Sequence, residues 1–149
     1  LTVVMITHQM EVIRDACKHV AVIDDGIVVE EGLVTDLFSH PASEVTKDFL
    51  THLVGVDDGA KGNGQMVQWS KKRGAYTLRF RGDTTDQPIL SMVSRTSGVD
   101  FNIRASGVQK VGDVEIGTMF VDINGSSEQR DSAIAQLREI GVVVEEGVL

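Results

Sequence analysis

The side chains able to do chemistry are few and unevenly placed. His8 follows the run Val3-Val4-Met5-Ile6-Thr7. An imidazole at the C-terminal end of a buried strand can donate a hydrogen bond to a phosphate oxygen at an open sheet edge. Taken by residue type alone, such a His is more often an exposed surface group. His19, His40 and His52 stand at spacings that match no zinc pattern, so they read as structural or solvated and no metal site is expected. Cys17 is the single cysteine, which excludes an internal disulfide. Further on, Asn102 lies in an alternating strand, where its amide can both donate and accept hydrogen bonds. Met119 is a soft, adaptable apolar side chain. No His or Cys follows His52, so that part offers neither an imidazole for acid-base work nor a thiol nucleophile.

These residues belong to two unlike pieces. The 149 residues carry 22 acidic and 14 basic side chains, a net charge of −8. Residues 1–60 hold 11 acidic and 3 basic side chains, hence −8, and the remainder is neutral. A chain of this balance shows no basic stripe, which argues against binding nucleic acid. No apolar run approaches the roughly 18 residues of a membrane helix. Between the pieces, residues 55–74 are glycine-rich and polar and end in Lys71-Lys72-Arg73, as a solvated linker would.

In the first piece, Leu1–Thr7 reads as a strand of the kind buried on both faces of a parallel sheet. Helical spacing over Gln9–Val20 follows, with Met10, Ile13, Ala16, Cys17 and Val20 apolar. Val20–Ile23 and Ile27–Val29 then flank Asp24-Asp25-Gly26, a hairpin signal. Thr35-Asp36 caps a short helix through Phe38, and Ser43 a longer one to about Leu53. A doubly buried strand needs neighbours, so residues 1–54 are expected to be the truncated α/β remnant of a larger domain. Leu1–Thr7 is then expected to pair with another chain or to be poorly ordered.

In the second piece, Tyr76, Leu78 and Phe80 alternate with polar residues in a strand. Thr84-Thr85-Asp86 reads as the cap of a helix that carries Ile89, Leu90, Met92 and Val93 and stops at Gly98. Strands over 99–108 and 114–123 follow. A Ser126/Gln129 capping box opens a helix ending at Gly141, and Val142–Val144 is a last strand. The order β-α-β-β-α-β predicts an α+β, ferredoxin-like domain over 75–149 with both helices on one face. With a hairpin turn near Lys110-Val111-Gly112, Phe101 would oppose Phe120 and Ile103 would oppose Thr118, facing the helices. Asn102 would then oppose Met119 on the open face, beside Arg104, Gly117, Val121 and Ile123. Such an apolar patch marks a partner or ligand surface and favours dimerisation of so small a domain.

Ile6-Thr7-His8-Gln9-Met10, with the hairpin Val22–Gly32 and Phe38-Ser39-His40-Pro41, resembles the end of an ABC-transporter ATPase. That resemblance implies that His8 is the switch histidine contacting ATP in the intact subunit. The phosphate-cradling loop and the Mg²⁺-binding Asp lie upstream in that family, so this stretch should not bind or hydrolyse ATP alone.

Leu78–Gly82, Pro88–Ser91, Gly98–Ile103, Ile116–Met119 and Ala133–Leu137 resemble the NIL domain of methionine-importer ATPases, an ACT-like regulatory domain. Its eponymous Asn-Ile-Leu reads Asn102-Ile103-Arg104 here. The resemblance implies a homodimer, permease partners at the cytoplasmic face of the membrane, and methionine bound between two NIL domains to inhibit transport. It makes Asn102, Ile103, Thr118 and Met119 the candidate ligand set, with Asn102 to hydrogen-bond the amino-acid carboxylate or ammonium and Met119 as a soft wall for the thioether side chain. Two alternatives remain. One is an interaction module that dimerises without sensing. The other is an acylphosphatase-like enzyme, disfavoured because no glycine-rich loop precedes the first helix.

Overall fold

The computed structural model describes residues 1–53, 67–68, 70 and 74–147. Most of the expected linker, with its basic triplet, therefore lies outside the described residues. The observed architecture is mixed α and β, with two antiparallel sheets.

The first piece forms helix α1 (Met10–Ala16), the hairpin β1 (His19–Asp24) and β2 (Ile27–Leu33), and helices α2 (Val34–Ser39) and α3 (Glu44–Leu53). The hairpin turns where expected. Asp25 and Gly26 both take positive φ, +47° and +78°, as a two-residue turn matched to strand twist requires. Ser43 caps α3 as expected, its Oγ accepting from the Thr46 N–H at 3.0 Å. Glu30 on β2 also accepts from the Ala42 and Ser43 N–H groups, both at 2.9 Å, and ties the hairpin to the start of α3. Residues 1–8 form neither strand nor helix, and Leu1, Val3, Val4 and Ile6 are exposed. Among the described residues no strand pairs with this stretch, so the doubly buried strand expected there is not formed.

The second sheet has five strands in the order β3-β5-β6-β4-β7. These are β3 (Val67–Gln68), β4 (Tyr76–Arg81), β5 (Asp100–Val111), β6 (Val114–Asn124) and β7 (Val143–Glu146). Helix α4 (Ile89–Ser97) links β4 to β5, and α5 (Ser127–Ile140) links β6 to β7. The succession from β4 onward is therefore the expected β-α-β-β-α-β. Gly98 and Gly141 end the two helices in left-handed conformation, and the Ser126/Gln129 capping box is formed. The expected threonine cap of α4 is not. Thr84 instead closes a short 3-10 turn over 82–84, bonding the Arg81 backbone, and Pro88 stands at the helix start.

The β5–β6 register corrects the expectation. The turn is Gly112-Asp113, with Val111 facing Val114, because Gly112 supplies the positive φ of +60° that a tight hairpin needs. Phe101 therefore pairs with Ile123, and Ile103 with Val121. An odd slip sends every side chain of a strand to the other face. Met119, Val121 and Ile123 accordingly pack towards α4 and α5 in the main core with Leu78, Val93 and Leu137, and they form no open-face patch. A bulge at Arg104 then shifts the ladder by one, so Ala105 pairs with Phe120 and Ser106 with Met119. Beyond the bulge the two faces of β5 exchange roles.

The sheet's other face is covered as well. Val34 and Phe38 of α2, Leu50 of α3, and Met10 and Ile13 of α1 form a second apolar cluster with Val111 and Ile116. Charged groups rim it. Arg79, only 5% exposed, donates to Glu145 of β7, whose carboxylate lies 4.0 Å from the Lys47 ammonium on α3. Arg81 bonds Asp36 at 3.1 Å. The first piece is thus seated on the face of the sheet that α4 and α5 leave free.

Candidate functional site

The start of α4 and the middle of β5 and β6 enclose a cleft of about 240 Å³. That is below the roughly 300–1,000 Å³ typical of drug-sized ligands and suits a small metabolite. Phe80, Ile89, Leu90, Val108 and Met119 supply its apolar walls, and Gln87, Ser91 and Ser106 its polar groups. Gly117 forms part of the floor, where a Cβ would already touch Phe80 at 3.5 Å. Local chemistry explains the shape. The 3-10 turn after β4 holds Thr85, one of the lining residues, by an Oγ1–H bond to the Gly82 carbonyl at 2.7 Å. The bulge at Arg104 puts Ser106 and Val108 on the same side as Met119. No side chain caps α4 at Pro88; the Ile89 N–H donates to the Gln87 carbonyl at 2.8 Å, and the Leu90 and Ser91 N–H groups of the first turn have no side-chain cap.

The expected ligand residues divide. Met119 lines the cleft. Ile103 is packed against the main core. Thr118 is buried on the opposite face, where it pairs with Arg79. Asn102 is exposed on that same opposite face. The four do not form one constellation within a single chain. Gln87, Ser91, Ser106 and Val108 were not singled out from the sequence. For Ser106 and Val108 the signal, a bulge that reverses strand phase, lies in backbone pairing and not in residue type.

Around Asn102 lies a polar group of a different kind. Asp122, its cross-strand partner, accepts from the Ala75 N–H at 3.0 Å and from the Arg104 Nε–H at 2.7 Å. Arg104 also reaches the Ser70 hydroxyl at 3.3 Å. Burial pushes the Asp122 carboxyl up. The Ala75 N–H, the Arg104 guanidinium and the Asn102 amide outweigh that, and the carboxyl is held below the usual aspartate range.

His8 is exposed in a bend before α1 and lies outside any strand. Among the described residues no cluster of His, Cys, Asp or Glu is placed to hold a metal ion. Among them, too, no helix is long and apolar enough to cross a membrane.

The NIL domain family matches residues 75–146. The methionine import ATP-binding protein MetN of Streptococcus thermophilus is 36% identical over 145 residues, 95% of this chain and 41% of that protein. Its counterpart in Burkholderia thailandensis is 40% identical over 148 residues, 98% of this chain and 43% of that protein. The chain thus spans about two-fifths of the length of these relatives. A solved C-terminal domain of an ABC transporter ATP-binding protein from Enterococcus faecalis is 24% identical, with a TM-score of 0.43, over 50% of this chain and 83% of that one. Residues 75–146 thus belong to the NIL domain family, and the chain as a whole is similar over nearly its full length to part of the methionine import ATP-binding proteins.

Proposed function

We propose that this chain is the regulatory part of the ATP-binding subunit of a methionine importer, and that it binds cytosolic methionine to inhibit transport. The observation that carries the proposal is the cleft at the start of α4. Its walls of Met119, Leu90, Val108 and Phe80 suit a thioether side chain. The Leu90 and Ser91 N–H groups in the first turn of α4 suit a carboxylate, and the side chains of Ser91, Ser106 and Gln87 offer partners to an ammonium group. The β-α-β-β-α-β order and the strand order support a ferredoxin-like, ACT-like unit over 75–149.

The family reading adds the assembly. Residues 1–54 are the closing segment of the ATPase domain, with His8 as its switch histidine once ATP and Mg²⁺ are held by the intact subunit. The subunit works as a homodimer against permease subunits on the cytoplasmic face of the membrane. Asn102 lies across the sheet from the cleft of its own chain, so its contribution to the ligand comes across the interface between two copies. Methionine inhibits only by binding the resting arrangement more tightly than the closed one.

A second reading is favoured by one observation. Asp122 and Arg104 occupy the neighbourhood of Asn102, as they would in an interaction module that dimerises without sensing. Calorimetry separates the two. L-Methionine titrated into the chain should release heat that saturates. Val108→Trp should abolish that heat, because Val108 is 56% exposed at the cleft and an indole there fills the opening without entering the core. An absence of heat with any amino acid would favour the non-sensing module.

A further inference from the structure

The chain enters the second sheet by an unusual route. β3 pairs with the outer edge of β5, its Val67 facing Ser106 and its Gln68 facing Ala105. β4, next in sequence, lies beyond both β5 and β6. The fastening points of this crossing converge on one carboxylate. Ala75 donates its N–H to Asp122 Oδ1, and Ser70 is held by Arg104, which itself donates to Asp122 Oδ2. Gly74 lies so close to β6 that a Cβ would stand 2.2 Å from the Val121 carbonyl oxygen. Asn102 faces Asp122 directly across the β5–β6 pair. Arg104, the residue at the bulge, stands where the Asn-Ile-Leu pattern has Leu.

We propose that Asp122 is a shared anchor, fastening the crossing at Ala75 while engaging Asn102 and Arg104, so that ligand capture by Asn102 and fastening of the crossing oppose one another. This rests on the reading that methionine binds with help from Asn102, and it adds a route by which occupancy is felt at the junction between the two pieces. The physical basis is competition for donors. An ionised carboxylate facing the Asn102 amide disfavours turning that amide towards a ligand, and a ligand that recruits the amide removes one of the anchor's partners. Linkage makes the effect reciprocal: ligand must loosen the anchor by the factor by which the anchor weakens ligand.

The test uses the full chain, L-methionine and two readouts: calorimetric Kd, and hydrogen exchange of the Ala75 amide followed by NMR. Asp122→Asn keeps the shape and one acceptor oxygen while removing the charge. Replacing a charged by a neutral hydrogen-bond acceptor is expected to tighten methionine binding about fivefold. Ala75 exchange should accelerate by a similar factor. Saturating methionine on the wild-type chain, which needs no variant, should also accelerate Ala75 exchange. The proposal is overturned if Asp122→Asn leaves Kd within about twofold, or if methionine leaves Ala75 exchange unchanged or slower. In both those cases wild-type binding heat persists and the sensing reading stands. If the wild-type chain gives no methionine heat, the sensing reading fails and the coupling fails with it.

Discussion

Removing the Glu145 charge isolates the β4–β7 ion pair that is buried where the first piece covers the sheet. Arg79 is 5% exposed and its guanidinium is bound by Glu145, so Glu145→Gln leaves a buried cation without its counter-charge. Breaking such a pair from one side costs about 3–5 kcal/mol. The Glu145 side chain retains 17% exposure, so some water reaches the site and the lower end applies, about 3 kcal/mol. In a chain of this size that corresponds to a fall in Tm of roughly 6–12 °C. Urea denaturation followed by circular dichroism measures it. Arg79→Met with Glu145→Gln should recover at least half of the loss, since the buried charge is then gone too. Lys47→Ala should cost under about 1 kcal/mol, because its ammonium lies 4.0 Å from Glu145. A Glu145→Gln effect below about 0.5 kcal/mol, the range of ordinary surface changes, would refute the claim that this ion pair is buried and structural.

Other outcomes follow from single contacts. Gly74→Ala should abolish stable folding of the second sheet or shift β4 against β6, because its Cβ would meet the Val121 backbone at 2.2 Å; a thermal melt and an amide NMR spectrum report it. Ser126→Ala removes an N-cap whose Oγ accepts from Gln129 at 3.2 Å and should cost about 1 kcal/mol in urea denaturation. The carboxyls of Asp122 and Glu30 both lie below their usual range in the folded chain. Burial pushes Glu30 up, but bonds from Thr46, Ser43 and Ala42 outweigh it. Their stabilisation is therefore present above the unfolded pKa values of about 4 and is lost as pH falls through that region towards the folded values. The urea midpoint should fall below about pH 4, and Asp122→Asn with Glu30→Gln should flatten that fall.

Local signals were legible wherever one residue type answers one backbone requirement. Asp25-Gly26, Gly98, Gly141 and the Ser126/Gln129 box each satisfy a turn or a helix end by themselves, and each is found in place. The β5–β6 register was not legible. A turn at Lys110–Gly112 and one at Gly112-Asp113 are both compatible with the hydrophobic pattern, and the bulge at Arg104 reverses the pattern partway along β5. A strand that changes face cannot be read by strict alternation. This is why Met119 was grouped with Asn102, although the sheet separates them. The cover on the second face was also hidden, since Phe38 and Leu50 could as well have packed within their own piece. Strand propensity in Leu1–Thr7 was real but had no ladder to join.

The claim on which the account turns is that methionine occupies the cleft between α4 and β6. The most direct measurement is a titration of L-methionine into the chain with ¹³C-labelled methionine methyl groups, followed by NMR. The account predicts a saturable shift of the Met119 methyl, while those of Met5 and Met10, outside the second sheet, stay where they are. Saturable binding that leaves the Met119 methyl unmoved would contradict it.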